Sequence, residues 1–248
     1  MRGNQPEFEG AKEGTEQVGI GWLGYLYRRR YEVALFWDEK RERDMHRRKL
    51  KLGIEYLQSN DPKMGAIIER FGPCTLRVDA NHFWMLARAI VAQQISSAAA
   101  RTITQRVRDL MDEGLSPQSL SSLDDEALRL AGVSKQKVSY LRSLTEKVLS
   151  GDVALDRISK LSNEEITHQL IQIKGIGAWT ADMFMIFSLG RMDVFPIGDG
   201  GVRAAMRKIY RIAVDAPHDK YHKVAKKWQP YASIASWYCW RVLEEKKN

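Results

Sequence analysis

Apolar side chains recur at helical spacing along most of this 248-residue chain, beginning at Leu50. Leu50, Ile54 and Leu57 fall on one face of a first helix, and Asp61-Pro62 then marks the start of a second. No stretch that alternates apolar and polar residues is long enough to predict a sheet. The pattern therefore predicts an all-α fold.

Start and stop signals divide the rest of the chain into short helices. Asp79 is the predicted N-cap of a helix that is interrupted at Gln93-Gln94-Ile95-Ser96-Ser97. Gly132 is typical of the residue that comes after a helix end, and Ser162 with Glu165 forms a capping-box pattern. These signals predict helices of ordinary length joined by short turns.

Charge and cysteine usage narrow the classes of function. Lys and Arg number 39 against 31 Asp and Glu, so the net charge is +8. Such a balance suits a polyanion such as nucleic acid, although a protein that is merely basic is the alternative. Two distant cysteines, Cys74 and Cys239, cannot form a four-cysteine cluster and indicate no disulfide framework. No apolar run is long enough to span a membrane and no secretory signal is evident, so we expect a soluble intracellular protein.

The first 59 residues differ from the rest and are interpreted as an N-terminal extension, partly disordered or helical. Residues 1–20 lack periodicity, whereas residues 22–51 combine aromatic side chains with basic runs. This second stretch fits a DNA-contacting arm, a targeting signal or a helix packed on the body, and we favour the helix. Residues 60–248 form the predicted main domain.

The most specific motif lies between Ile171 and Ala181 and reads I-Q-I-K-G-I-G-A-W-T-A. Two glycines around one apolar residue form a tight turn between two helices, and free amides at the start of the second helix suit a phosphate. An ordinary helical corner is the alternative. The predicted phosphate-binding residues are Lys174, Gly175, Ile176, Gly177 and Thr180.

A loop rich in glycine and proline then delivers Asp199 to the start of another helix. An aspartate at this place is commonly an N-cap. It also suits catalysis, because a fixed carboxylate can stabilise positive charge that develops on a sugar when a glycosidic bond breaks. Asp193, earlier in the same loop, is interpreted as structural.

Together, the hairpin, the loop and Asp199 resemble the helix-hairpin-helix DNA glycosylase superfamily. Bifunctional members carry a nucleophilic lysine two residues after the second glycine, and here that residue is Trp179. In having a tryptophan at this position, the hairpin resembles that of the DNA-3-methyladenine glycosylase II family. The segments that begin at Phe83, Gly132 and Trp228 resemble other motifs of the same family. The resemblance covers about residues 60–245. It implies two helical lobes with the active site in the cleft between them.

That resemblance also implies roles for individual residues. Asp199 would be catalytic, and Trp179, Trp240 and Met183 would line a pocket for the flipped base. Gln94, Ile95 and Ser96 would lie near the gap that the base leaves in the duplex. No metal is implied for catalysis, but a monovalent cation at the hairpin is possible.

The implied activity is hydrolytic excision of alkylated purines such as 3-methyladenine, without a lyase step. The implied partners are double-stranded DNA containing damaged bases and a downstream abasic-site endonuclease, with no membrane involved. We expect a monomer, located in the nucleoid of a bacterium or the nucleus of a eukaryote. Another lesion such as hypoxanthine, or a non-catalytic DNA-binding module, is the alternative.

Overall fold

The computed structural model describes residues 39–111 and 114–245, and side chains from residue 44 onward. Every regular element within these residues is a helix, which confirms the predicted all-α class. We number the α-helices in chain order: α1 (Glu39–Asn60), α2 (Pro62–Phe71), α3 (His82–Ala92), α4 (Ser97–Asp109), α5 (Pro117–Ser122), α6 (Asp125–Leu130), α7 (Lys135–Leu149), α8 (Asn163–Leu170), α9 (Ala178–Phe187), α10 (Gly200–Tyr210), α11 (His218–Ala225) and α12 (Ala232–Glu244). Two short 3₁₀ helices cover Ile158–Lys160 and Lys226–Trp228.

The helices form two groups, as predicted for a two-lobed fold. In one lobe α7 packs against α3, α5 and α6, and α4 packs against α3. In the other lobe α12 packs against α1, α2 and α10. Helix α9 packs against α8 and α3, and its Phe187 stacks on Trp240 of α12, so the helix that comes after the Gly-Ile-Gly turn contacts both lobes. One continuous apolar core runs through both.

Side-chain caps explain where several helices begin. The Ser162–Glu165 capping box is present, and Gly132 has a φ of 103° directly after the helix that it was predicted to end. The predicted N-cap at Asp79 is wrong, because Asn81 accepts the hydrogen bond from Trp84 N at 2.8 Å. Asp79 instead pairs with Arg88, whose guanidinium is almost fully buried.

Helix α1 carries the end of the predicted N-terminal extension onto the main body. Leu50 and Leu57 are buried, and the helix packs against α2 and α12. The helix passes through residue 59, so the division between extension and main domain stays a prediction. Residues 1–38, which include the aromatic stretch and the first basic run, lie outside the described residues.

The described helices also bear on membrane insertion. None of them combines the length and the apolar character that a bilayer crossing requires.

Candidate active site

Asp199 lies at the N-terminus of α10 with only 3% of its surface exposed. Its Oδ1 accepts a hydrogen bond from Val202 N at 2.8 Å, the N-cap contact that the sequence suggested. The same oxygen accepts a hydrogen bond from Trp240 Nε1 at 3.1 Å, and Oδ2 accepts one from Trp179 Nε1 at 2.8 Å. Three N–H donors therefore fix the orientation of this carboxylate at the helix N-terminus.

The two indoles reach Asp199 from different parts of the fold. Trp179 is in the first turn of α9 and is partly exposed, whereas Trp240 is in α12 and is 9% exposed. One face of Trp240 is stacked on Phe187, with ring centroids 5.5 Å apart. A carboxylate has about four acceptor positions and three are occupied here, so roughly one remains for a water or a developing cation.

An opening lies beside this carboxylate. Gly198 and Gly200 are exposed on either side of Asp199. A Cβ at Gly200 would meet no atom within 4 Å, and a Cβ at Gly198 would meet only Trp179, at 3.8 Å. Because the flanking residues have no side chains, a substrate can approach a carboxylate whose own surface is almost covered.

The turn between α8 and α9 has the geometry of an anion site. Gly175 has a φ of 80°, and any Cβ there would lie 2.2 Å from the Tyr140 ring, so only glycine fits. Ile176 is buried beneath the turn, while Lys174 and Gly177 are exposed. Gly177 caps α9 without a side-chain hydrogen bond, which leaves the first amides of that helix available to a phosphate.

Thr180, also predicted to bind phosphate, is buried, and its contact with a phosphate stays a prediction. Its side chain is 5% exposed, and it occupies the third position of α9. The amide, rather than the hydroxyl, is the group that can face a phosphate.

The loop between α3 and α4 lies against the hairpin. Gln93 Nε2 donates a hydrogen bond to Gly175 O at 2.8 Å, across 82 residues of sequence. Lys137 donates hydrogen bonds to the carbonyls of Val91 and Gln93, at 2.8 and 2.7 Å, at the C-terminus of α3. Burial lowers the pKa of Lys137. The two surfaces predicted to contact DNA thus meet along one edge of the molecule.

The three residues predicted to fill the duplex gap are on that loop. Gln94 is exposed and left-handed, with a φ of 53°. Ile95 is partly buried against the two small residues Ala92 and Ala100. Ser96 is exposed and caps α4 by accepting a hydrogen bond from Ala99 N. Their contact with DNA stays a prediction.

A comparison of the sequence with models of protein families identifies the family to which the chain belongs. Residues 87–230 match the model described as HhH-GPD superfamily base excision DNA repair protein. This range includes the loop after α3, the hairpin and Asp199. The chain belongs to the HhH-GPD superfamily.

Relatives agree with this assignment over most of the chain. DNA-3-methyladenine glycosylase 1 of Schizosaccharomyces pombe is 30% identical over 213 residues, which cover 85% of this chain and 93% of that protein. A crystal structure of DNA-3-methyladenine glycosidase from Bacillus halodurans is 36% identical with a TM-score of 0.70, covering 76% of this chain and 88% of the other. The S. pombe 3-methyladenine DNA glycosylase Mag1 in complex with abasic DNA has a TM-score of 0.68 at 30% identity, covering 77% and 96%.

Within this HhH-GPD fold, two further sequence expectations concern Met183 and Asp193. Met183 is in α9 but is only 1% exposed, so it packs in the core instead of lining an accessible pocket as expected. Asp193 Oδ1 accepts a weak hydrogen bond from Ala232 N at 3.4 Å, and the Asp193 carbonyl accepts one from Asn163. Asp193 therefore ties its loop to α12 and α8, which agrees with a structural role.

Sequence reasoning did not single out Asp182, an ionisable residue of α9. It lies three residues after Trp179 in α9, so the two side chains share a face of that helix. Burial and then the charge of Asp199 raise the pKa of Asp182 to about 7. The spacing from Trp179 was the signal available in the sequence.

Proposed function

We propose that this protein is a monofunctional DNA glycosylase that flips alkylated purines such as 3-methyladenine out of DNA and hydrolyses their N-glycosidic bond. Membership of the HhH-GPD superfamily and the names of the relatives support a base-excision enzyme of the 3-methyladenine type. The observation that carries the proposal is the Asp199 carboxylate, held by two indoles beside an opening next to the hairpin.

Asp199 is the proposed catalytic residue. As the bond between the sugar and the base breaks, positive charge builds on C1′ and the ring oxygen. A carboxylate that is already oriented by three N–H donors needs no rearrangement to stabilise that charge. Its remaining acceptor position can orient the water that attacks C1′.

The base pocket is proposed to be formed by Trp179 and Trp240, without Met183, which is buried in the core. Alkylated purines carry positive charge, and an indole face attracts a cation within about 6 Å of its centre. Trp179 is the more exposed of the two rings and is the expected stacking surface. Because Phe187 already covers one face of Trp240, that ring offers its other face or its edge.

DNA is proposed to bind along the edge formed by the hairpin and the loop after α3. Amides at the start of α9 and the Lys174 side chain would hold a backbone phosphate, which positions the duplex without reading its sequence. Gln94, Ile95 and Ser96 would occupy the space that the flipped nucleotide leaves. The hydrogen bond between Gln93 and Gly175 would keep these two contacts at a fixed separation.

The absence of a lyase step is inferred from the residue at position 179. A Schiff base with the sugar requires an amine beside C1′. Trp179 occupies the hairpin position next to Asp199, and its indole N–H is bonded to that carboxylate. Lys174 precedes the turn and is exposed, where it suits a phosphate better than C1′.

A monovalent cation is proposed as an optional structural component of the hairpin. Backbone carbonyls between Leu170 and Gly177 are oxygen donors suited to a hard cation, which would bridge them to a phosphate. No group of three or more His, Cys, Asp and Glu residues in the described part of the chain could hold a metal ion.

We further propose that the protein acts as a monomer inside the cell and that an abasic-site endonuclease processes its product.

Base release from DNA treated with a methylating agent tests the proposal. Asp199→Asn should reduce the release rate at least about a thousandfold, because the charge that opposes the developing cation is lost. Binding of the same DNA should change far less. Asp193→Asn is the matched control, since it alters another aspartate of the same loop that lies outside the proposed chemistry.

The products distinguish the proposed mechanism from its alternatives. Strands should remain intact until alkali is added, since no lyase step is expected. Strand cleavage by the wild-type enzyme without alkali would contradict the monofunctional assignment. Undiminished release by the Asp199 variant would remove Asp199 from the mechanism, and no release by the wild-type enzyme would overturn the proposed activity.

A further inference from the structure

One side chain of α7 holds the start of the loop that is proposed to fill the duplex gap. Lys137 Nζ donates hydrogen bonds to Val91 O at 2.8 Å and to Gln93 O at 2.7 Å. Carbonyls in the last turn of a helix have no partner within that helix, and a lysine also suits the negative end of the helix dipole. Lys137 therefore fixes the place and direction in which the chain leaves α3.

The backbone of this loop has a conformation that depends on support. Gln94 comes directly after the carbonyl that Lys137 binds, and it is left-handed, with a φ of 53°. A residue with a side chain rarely keeps such a conformation unless its surroundings impose it. Two residues later, the Ser96 side chain caps α4. The turn is thus fixed by Lys137 before Gln94 and by the helix cap after it.

Helix α7 also supports the second element proposed to bind DNA, the hairpin. A Cβ at Gly175 would lie 2.2 Å from the Tyr140 ring, so this ring packs directly against the turn. Ser143 Oγ accepts a hydrogen bond from Lys174 N at 3.1 Å. Lys137, Tyr140 and Ser143 follow one another at intervals of three residues, so they occupy adjoining positions on α7. One helix therefore holds both the loop and the hairpin.

We propose that Lys137 is a positioning residue for base flipping, which keeps the loop of Gln94, Ile95 and Ser96 in the shape that fills the gap. The inference rests on the proposed function, since it concerns the same DNA-binding edge. Flipping a base costs unstacking and unpairing energy, which the contacts of the loop within the gap offset. A loop that is ordered before DNA binds loses little further freedom on binding. Lys137 thus acts through the loop rather than at the reacting atoms.

This role predicts a dependence on how firmly the lesion is paired. A lesion opposite its usual partner loses hydrogen bonds and stacking when it flips, whereas a mismatched base flips at a lower cost. Disorder in the loop should therefore slow the release of a paired lesion more than that of a mismatched one. A residue that supported only the overall fold would change both rates by the same factor.

Single-turnover release of 7-methylguanine opposite cytosine, and opposite a mismatched adenine, tests the proposal, with rates normalised to the amount of folded protein. Lys137→Met keeps the aliphatic part of the side chain but removes the donors. It should slow release opposite cytosine by about tenfold or more, the scale of a misplaced positioning group. The loss opposite adenine should be at least about threefold smaller.

Two further variants separate the hydrogen bonds of Lys137 from its charge. Lys137→Arg keeps the charge and several N–H donors, so it should restore most of the rate opposite cytosine. Lys135→Met is the matched control, because it removes the same charge from an exposed position of the same helix. Release by this control should stay near the wild-type rate on both duplexes.

Binding adds a readout that a change in the amount of folded protein would not alter. Only a duplex with an abasic site offers a gap for the loop to fill. The ratio of affinities for a duplex with a stable abasic analogue and for the intact duplex should therefore fall by about tenfold in Lys137→Met. If that variant does not fold, Lys137→Gln, which keeps N–H donors on a shorter side chain, replaces it and should lower the same ratio.

The outcomes separate this role from the proposed function. Equal losses on the two lesion duplexes, a wild-type rate in Lys137→Met, or an unchanged ratio of abasic to intact binding would overturn the positioning role. An equal loss in Lys135→Met would also overturn it, since charge alone would then explain the effect. If the wild-type enzyme releases 7-methylguanine from neither duplex, the proposed function itself fails.

Discussion

Two buried aspartates, Asp61 and Asp199, occupy the same kind of position in different parts of the fold. Each is the N-cap of a helix, and they are 2% and 3% exposed. Asp61 accepts hydrogen bonds from two backbone amides, from Tyr210 OH at 2.7 Å and from Trp228 Nε1 at 3.3 Å. Each carboxylate is thus held by a helix N-terminus and by at least one indole.

The two aspartates differ in the residues that flank them. Asp61 precedes Pro62, and its second oxygen is shared by two aromatic side chains that enclose it. Asp199 lies between the exposed residues Gly198 and Gly200, with open space next to the latter. Donor number alone therefore does not mark a catalytic carboxylate. Access to the carboxylate separates Asp199, the proposed catalytic residue, from the structural Asp61.

The comparison is tested most strongly by replacing each aspartate with asparagine. Asp61→Asn places an amide opposite a hydroxyl and an indole that both donate, so it should reduce the free energy of unfolding by about 2–4 kcal/mol. Activity per folded molecule should stay near the wild-type value. Urea unfolding and active-site-normalised base release measure the two effects.

Asp199→Asn should give the opposite pattern. Its loss of stability should be smaller than that of Asp61→Asn, because the asparagine oxygen can still accept from Val202 and water can reach the opening. The activity should be lost. A stability loss as large as that of Asp61→Asn, or lost activity in folded Asp61→Asn, would show that the two sites are not functionally distinct.

Features that depend only on residues adjacent in the chain could be predicted from the sequence. Asp199 after a glycine-rich loop, and the turn at Gly175 and Gly177, were recognised from local patterns. The partners of Asp199 could not be derived locally, since Trp179 and Trp240 lie 20 and 41 residues away in the chain.

Other contacts were missed because they join distant elements. The hydrogen bond from Gln93 to Gly175 links positions 82 residues apart, and the raised pKa of Asp182 depends on how α9 packs beside Asp199. The prediction of Asp79 as an N-cap was wrong for a related reason. Its pairing with Arg88 in the folded chain leaves Asn81 as the cap of α3. Local signals thus predicted the helices and the position of Asp199 at a helix start, whereas the packing determined the partners of these side chains.

The opening beside Asp199 can be closed without disturbing the fold. Gly200→Ala adds a methyl group where no atom lies within 4 Å, in the first position of α10. Because alanine restricts the unfolded chain, the free energy of unfolding should rise by about 0.4–1 kcal/mol. Base release should fall by about tenfold if the methyl group occupies the approach of the substrate. Unchanged activity would show that the substrate enters from another side.

The last effect concerns the pH dependence that the burial of Asp182 gives to the stability of the fold. Folding raises the pKa of Asp182 from 3.8 to about 7, so its protonated form stabilises the fold and that contribution is lost as the pH rises through 7. Asp182→Asn removes this dependence. Relative to wild type, the variant should gain up to about 3 kcal/mol in free energy of unfolding between pH 5 and pH 8, at about 1.4 kcal/mol for each pH unit below the folded pKa.

Urea unfolding of both proteins at the two pH values measures this gain, with Glu69→Gln as the exposed-carboxylate control. A gain confined to Asp182→Asn would show that this buried acid is held at the expense of stability. An equal response in the control would instead indicate a general effect of net charge. A buried carboxyl group is expected to cost stability, because the desolvation that keeps it protonated, and secondarily the charge of Asp199, also oppose folding at high pH.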